Sequence, residues 1–327
     1  MPKLTHPPRR QRASSATSAR PAVAAGPGAE AEAAQRGRRG HFIFLLPALL
    51  YLVVMTQVPF VLTLWYSFHR WILTSPELGH KWVGLSNYRY EIYEDPTFRT
   101  AVENTVVITA SIVGMSLLLG LCFALLLNRR FPLRGVVRSL MIAPFFVMPT
   151  VSAVVWKNIF LNPIFGIFGW IESSIGVTRV DWLAIHPQMS IIGMAVWQWA
   201  PFMMLILLAG LQGIPEELHE AAQLDGAGLW REFRKITLPM LGPFIEIALL
   251  LGVIYILQIF AEIFVATQGG PGTATTTVPF YVYQTISQAN DVGAASAEGV
   301  LAIVFASVIA ALLLRLLSRT FKRQAVG

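Results

Sequence analysis

The chain has 327 residues, 55% of them hydrophobic and 13% charged, with a formal net charge of +7 and a single cysteine. Soluble domains carry about 25% charged residues, so this deficit argues against a water-soluble globular protein and for a chain that crosses a bilayer several times. The modest basic excess is what the cytoplasmic loops of such a chain collect, and no nucleic-acid partner is implied. Cys122, alone in an apolar run, allows neither an intrachain disulfide nor a cysteine metal site and is read as packing.

Residues 1–40 are rich in Ala, Pro, Arg and Gly without apolar periodicity and are expected to form a disordered cytoplasmic tail. The apolar run that follows is too long for a signal peptide and lacks a small-residue cleavage site, so it is expected to remain as a first span. A helix needs about 20 mainly apolar residues to cross the hydrocarbon core. Six stretches meet that length: 42–68, 101–127, 137–160, 189–211, 241–265 and 294–317. The expected fold is all-α, a polytopic membrane protein with six transmembrane helices. Pro47 and Pro59 in the first span and Pro144 and Pro149 in the third predict kinks.

Lys and Arg beside the spans set the orientation. Arg36, Arg38 and Arg39, then Arg129, Arg130, Arg134 and Arg138, then Arg231, Arg234 and Lys235, then Arg319, Lys322 and Arg323 all fall on one side. On the other side Arg70, Lys81, Arg89 and Arg99 are balanced by Glu77, Glu91, Glu94 and Asp95, and the later loops add only Arg179. Both termini are therefore expected in the cytoplasm.

The most informative stretch is the polar island at 212–240, between the fourth and fifth spans. Pro215 suits a first helical position, and Glu216 and Glu217 then sit where the helix dipole favours acids. That helix is expected to stop near Leu224, at the turn pair Asp225-Gly226. A second helix from about Leu229 would put Trp230 and Phe233 on one face. Ala221 and Ala222 carry almost no side chain, so this surface can come close to another protein.

Glu220, Ala221 and Ala222, three residues, Gly226, nine residues, then Ile236, Leu238 and Pro239 give a pattern that resembles the signature loop of bacterial ABC importer permeases. The resemblance implies that Glu220, Ala221, Ala222, Asp225, Gly226, Ile236, Leu238 and Pro239 belong to a cytoplasmic loop that docks in a cleft of an ATPase subunit. Trp82-Val83-Gly84-Leu85-Ser86-Asn87-Tyr88, Asn104-Thr105 and Gly269-Gly270-Pro271 are similar to family segments that follow the first span, open the core domain and follow the fifth span. The likeness covers 41–327, with a core of about 101–317. Ala143–Ala153, Val155–Asn158, Ala195–Phe202 and Asp291-Val292-Gly293 resemble the sorbitol/mannitol (polyol) branch of the maltose-type permeases.

The resemblance implies a multi-pass subunit of a bacterial cytoplasmic membrane. Its partners would be a second homologous permease, an ABC ATPase dimer, an extracytoplasmic solute-binding protein and a polyol or sugar. No enzyme is expected in this chain. None of its five lysines, Lys3, Lys81, Lys157, Lys235 and Lys322, lies in a phosphate-binding loop, and its six histidines show no metal spacing. No cofactor or metal is called for. A permease for a disaccharide or glycerol 3-phosphate is the alternative that keeps the same loop. A secondary transporter and a polytopic membrane enzyme fit less well, because neither internal repeats nor a convergent catalytic set is visible.

Polar groups inside apolar spans usually face a cavity or a partner, because exposing them to lipid is unfavourable. Tyr255, Gln258 and Glu262 would share a face of one continuous helix at 100° per residue. Gln, Glu and Tyr together can answer hydroxyls that both donate and accept. Trp197 and Trp199 could offer ring faces to the C–H side of a polyol, with the Gln198 amide between them, and Asn158 closes the third span beside Lys157.

Overall fold

The computed structural model describes residues 27–129 and 131–324. The first helix, α1, runs Pro27–Ser67, so its opening turns fall inside the stretch expected as a tail. The rest of that tail, 1–26, lies outside the described residues. The chain divides into a unit ending at Pro59 and a larger one beginning at Phe60. The first is the bulk of α1, whose apolar side chains from Leu45 to Val58 stand exposed, as on a helix surrounded by lipid.

In the larger unit a two-stranded hairpin follows α1. Its β1, His69–Arg70, pairs antiparallel with β2, Lys81–Trp82. The Asn87 amide donates to the carbonyls of Ser67 and His69 at 2.9 and 3.0 Å, so the segment after the hairpin folds back onto the end of the first span. Asp95 then caps α2, Pro96–Asn128, by accepting from the Thr97 and Phe98 amides. Pro96 occupies the first turn, where its missing N–H leaves nothing unpaired.

The next helices are α3, Arg134–Phe146, and α4, Pro149–Phe160. They are followed by α5, Pro187–Gln212, and α6, Glu216–Leu224. A helical run α7, Leu229–Ile256, leads to the short α8, Ala261–Ala266. The chain ends with α9, Val278–Ser287, and α10, Val292–Gln324. Five of these are long and apolar enough to cross a bilayer, and α3 with α4 makes a sixth crossing if the pair is taken as one span.

Two expected spans are broken. The third, expected as a kinked helix over 137–160, bends by 99° between α3 and α4. Pro144 and Pro149 lack the N–H that a continuous helix would use, and Val147 and Met148 turn to extended backbone between them. The Val147 carbonyl left free by the break accepts a 2.7 Å hydrogen bond from the Gln198 amide on α5.

The fifth, expected over 241–265, starts earlier, at Leu229, and leaves helical geometry after Ile256. No proline or glycine marks that second break. The chain sinks Leu257 and Ile259 into the core there, and the Thr277 hydroxyl reaches the Ile259 carbonyl.

The core lies between α2, α5 and α7. Ile108 and Ile112 meet Ile191, Met194 and Met203, with Ala248 and Ile256 closing the cluster. The α2–α5 approach depends on Gly120: a methyl group there would stand 2.7 Å from the Met203 Cβ and 2.8 Å from the Met204 nitrogen.

Above this core Asn104 fastens the segment after the fifth span. Its amide nitrogen donates to the carbonyls of Thr273 and Thr276 at 2.8 and 3.0 Å, and its oxygen accepts from Gln188 at 3.0 Å. Gln188 in turn reaches the Ala274 carbonyl, and the Thr105 hydroxyl accepts from the Val278 amide that starts α9. Cys122, read as packing, is exposed on α2.

Asn104→Ala removes the buried amide and strands two carbonyls, so it should destabilise the chain by about 1–3 kcal/mol. Denaturant unfolding in detergent measures this, and an unchanged midpoint would contradict the fastening role.

Candidate functional site

The polar island folds as a helical hairpin. Pro215 stands at the cap, one residue before the helical position expected for it, and α6 begins at Glu216. Gly226 turns the chain at φ +70°, a conformation that glycine adopts freely, and α7 starts at Leu229 as the pattern predicts. Ala222 is buried, whereas Glu220, Ala221, Asp225, Gly226 and Pro239 are exposed and Ile236 and Leu238 are half-buried. Trp230 and Phe233 do share a face, their rings stacked 5.8 Å apart. Leu224 and Trp230, 90% and 71% exposed, put large apolar surface on the loop, with Leu218 and Leu229 beside them. Uncovered apolar surface of this extent is uncommon on a hairpin that folds against its own chain alone.

The intramembrane candidates separate into several places. The Trp199 ring stacks on Tyr255 at 5.9 Å, with Phe145 and Phe202 around the pair. Trp197 packs its edge against Trp156 at 6.0 Å. Gln198, between the two tryptophans in sequence, is only 4% exposed and ties the break after α3.

Gln258 lines a cavity of about 350 Å³ with Thr105, Val278, Pro279 and Ser307, while Glu262 is buried at the start of α8. The helical reckoning that put Tyr255, Gln258 and Glu262 on one face assumed an unbroken helix. The break after Ile256 separates them. Asn158 lines a different cavity of about 390 Å³ with Lys157, Asn162, Asp181 and Thr267. Lys157 donates from there to the Val265 carbonyl at 2.9 Å.

One polar cluster was not singled out from sequence. Glu91, between the first and second spans, is 2% exposed, and both it and Glu298 on α10 keep one carboxyl oxygen without a hydrogen-bond donor. Asp95 takes the Tyr281 hydroxyl at 2.5 Å, and Glu298 takes the Thr285 hydroxyl at 2.8 Å. No Lys or Arg forms an ion pair with these carboxylates among the described residues. Burial pushes the Glu91 carboxyl up from 4.5 to about 8, reinforced by the charges of Glu298, Asp95 and Asp291. Burial, and then the bond to Asp95, also raises the Tyr281 phenol. The sequence signal for this cluster was Glu298, a carboxylate inside an apolar span.

Several membrane-length apolar helices, with an apolar-faced hairpin between two of them, define a multi-pass membrane protein. Residues 116–323 match the family of binding-protein-dependent transport system inner membrane components, and the chain belongs to that family. It is 38% identical over 265 residues to the trehalose/maltose transport system permease protein of Thermococcus litoralis, covering 80% of this chain and 88% of that one. It is 33% identical over 278 residues to the sulfoquinovosyl glycerol transport system permease protein of Agrobacterium fabrum, covering 84% and 89%. Its fold matches a chain in the crystal structure of a bacterial alginate ABC transporter bound to its alginate-pentasaccharide-loaded periplasmic protein. The TM-score is 0.72 at 23% identity, over 85% of this chain and 93% of that one. These relatives are transport components and not enzymes.

The Glu91 shift carries a sign. A carboxyl whose folded-state pKa lies at about 8 instead of 4.5 contributes stability that is full below about 4.5 and is lost as pH rises through 8. Stability should therefore fall across that window and level off above it. Glu91→Gln should flatten the dependence, read as the difference in thermal midpoint between the two proteins in detergent. Parallel curves would contradict the burial argument.

Proposed function

We propose that this chain is a membrane-spanning permease subunit of an ABC importer for a small carbohydrate, with a hexitol such as sorbitol or mannitol as the favoured substrate. The observation that carries the importer reading is the exposed hairpin at 216–239, which combines the Glu220-Ala221-Ala222…Gly226 spacing with uncovered Leu224, Leu229 and Trp230. In this reading Glu220, Ala221, Ala222, Asp225, Gly226, Ile236, Leu238 and Pro239 form the cytoplasmic docking loop, and both termini lie on its side of the membrane. The partners are a second, similar permease, two ATPase subunits and an extracytoplasmic binding protein.

A carbohydrate substrate is supported by the names of the relatives, which carry trehalose/maltose and sulfoquinovosyl glycerol. The narrower hexitol reading rests on the segments at 143–158, 195–202 and 291–293. Trp199 and Tyr255 would offer ring faces to C–H groups, and Gln258 would hydrogen-bond hydroxyls from its cavity.

The mechanism follows from how the elements are joined. A loaded binding protein docks on the face opposite the hairpin. ATP then draws the ATPase subunits together, and the hairpin passes that motion into α7, which runs from Leu229 to Ile256 without interruption. The broken ends of α7 and α4 are where the path can change its exposure, because irregular backbone at membrane depth is tolerated only beside protein or a cavity. A coupling of this kind needs two states that both substrate and ATP bias.

The test is ATPase activity of the chain reconstituted with its partner permease, ATPase and binding protein. Sorbitol, mannitol, maltose, trehalose and glycerol 3-phosphate would be supplied in turn. Stimulation by a hexitol alone supports the full reading. Stimulation by a disaccharide or by glycerol phosphate keeps the importer and removes the hexitol, and no response to any of them removes both. Gln258 holds only a 3.3 Å bond to the Ile254 carbonyl, so Gln258→Ala should leave the fold intact. It should raise the substrate concentration for half-maximal uptake about fivefold, the worth of one neutral hydrogen bond. An unchanged uptake curve would remove Gln258 from the path.

A further inference from the structure

Force applied to α6 can reach α7 by two routes. One is the turn Asp225–Gly228, which contains Gly226 at φ +70° and donates three backbone bonds back to α6, Asp225 N to Ala221 O at 3.0 Å, Gly226 N to Gln223 O at 3.0 Å and Ala227 N to Ala222 O at 2.9 Å. The other is a side-chain bond across the hairpin. His219 Nδ1 on α6 lies 2.6 Å from Glu232 Oε1 on the first turn of α7. Among the described residues this is the only side-chain hydrogen bond that joins the two helices. The carboxylate can only accept, so the ring nitrogen donates. The side chains are 28% and 13% exposed, so water competes weakly for the bond.

Packing replaces little of it, since Ala222 is the one buried residue of α6. A cavity of about 420 Å³ adjoins the pair, lined by His219 and Glu232 themselves, by Asn128 at the end of α2, by Leu211 on α5, and by Trp230 and Phe233 on α7. Without the bond α6 has room to swing on the turn at Gly226 and on the stretch Gly213–Pro215 that leads into it. Its motion would then be lost before it reached α7.

We propose that His219 and Glu232 are positioning residues: their hydrogen bond braces the docking hairpin into one lever, so that movement imposed on Glu220–Ala222 is delivered to α7. The inference rests on the docking reading above. It goes further by naming what makes the loop rigid and by separating binding of the ATPase from transmission of its motion. Neither residue is required to touch the ATPase or the substrate.

The experiment uses the full importer in liposomes and measures ATP hydrolysed per substrate imported. In parallel, Ala221→Cys in a Cys122→Ser background is cross-linked to the ATPase subunit. His219→Ala and Glu232→Ala should keep the cross-link and raise the ATP-to-substrate ratio roughly tenfold, the factor that one charge-assisted hydrogen bond is worth. His219→Asn places an amide N–H close to the position of Nδ1 and should restore the ratio. Wild-type ratios in the alanine variants would overturn the brace, as would a His219→Asn protein as uncoupled as His219→Ala. A missing cross-link in the otherwise unmutated chain would overturn the docking reading and the brace with it, and it is distinguishable because it appears before the brace is touched.

Discussion

The larger unit depends on the hydrogen bonds of one buried amide. Asn104 on α2 binds two carbonyls of the segment 273–276, and Gln188 on α5 closes the set through the Asn104 oxygen and the Ala274 carbonyl. Irregular backbone buried like Thr275 and Thr276 has no water to fall back on, so its polar groups need partners from the neighbouring helices. Asn104 and Gln188 supply them. With that segment fixed, α9 starts where the Thr105 hydroxyl receives the Val278 amide, and the break after α7 finds Thr277 within reach of the Ile259 carbonyl.

The same logic governs both broken spans. Each interruption frees carbonyl groups, and each is answered by a side chain from another element: Gln198 for Val147 and Thr277 for Ile259. Gln198 therefore holds the break at α3–α4 in place. The importer reading needs such breaks, since continuous helices packed to core density move as rods and leave nowhere for a path to open. The cavity at Gln258 lies beside the second break, between α2, α9 and α10.

The hairpin at 216–239, at the far end of α2, is built differently. It is held by one glycine turn, a handful of backbone bonds and one side-chain hydrogen bond, and it leaves Leu224 and Trp230 uncovered. A hairpin that leaves its apolar surface uncovered gains little from burial within its own chain, so its geometry has to come from short, directional bonds. The buried carboxylates Glu91, Asp95 and Glu298 lie at the start of α2 and on α10, away from that hairpin, and are built on the opposite principle. They are shielded from water and have no cationic partner among the described residues, so hydrogen-bond donors such as the Tyr281 and Thr285 hydroxyls stand in place of ion pairs.

Hydropathy by itself determined that the chain is helical and multi-pass, because a bilayer forces each crossing to be long, apolar and internally hydrogen-bonded. The hairpin was equally legible, since Pro215, Asp225-Gly226 and the alanine pair act through local backbone preferences and size. The bend at Pro144–Pro149 was half legible: the prolines announced a disturbance, and only packing decided that it would be a 99° turn. The break after Ile256 was not legible at all. It carries no proline or glycine and exists because Leu257 and Ile259 gain burial and Thr277 answers a freed carbonyl. For that reason the shared face of Tyr255, Gln258 and Glu262 dissolved, whereas Trp199 met Tyr255 across two helices. Sequence periodicity is a property of one helix, and the neighbours of a side chain belong to the tertiary structure.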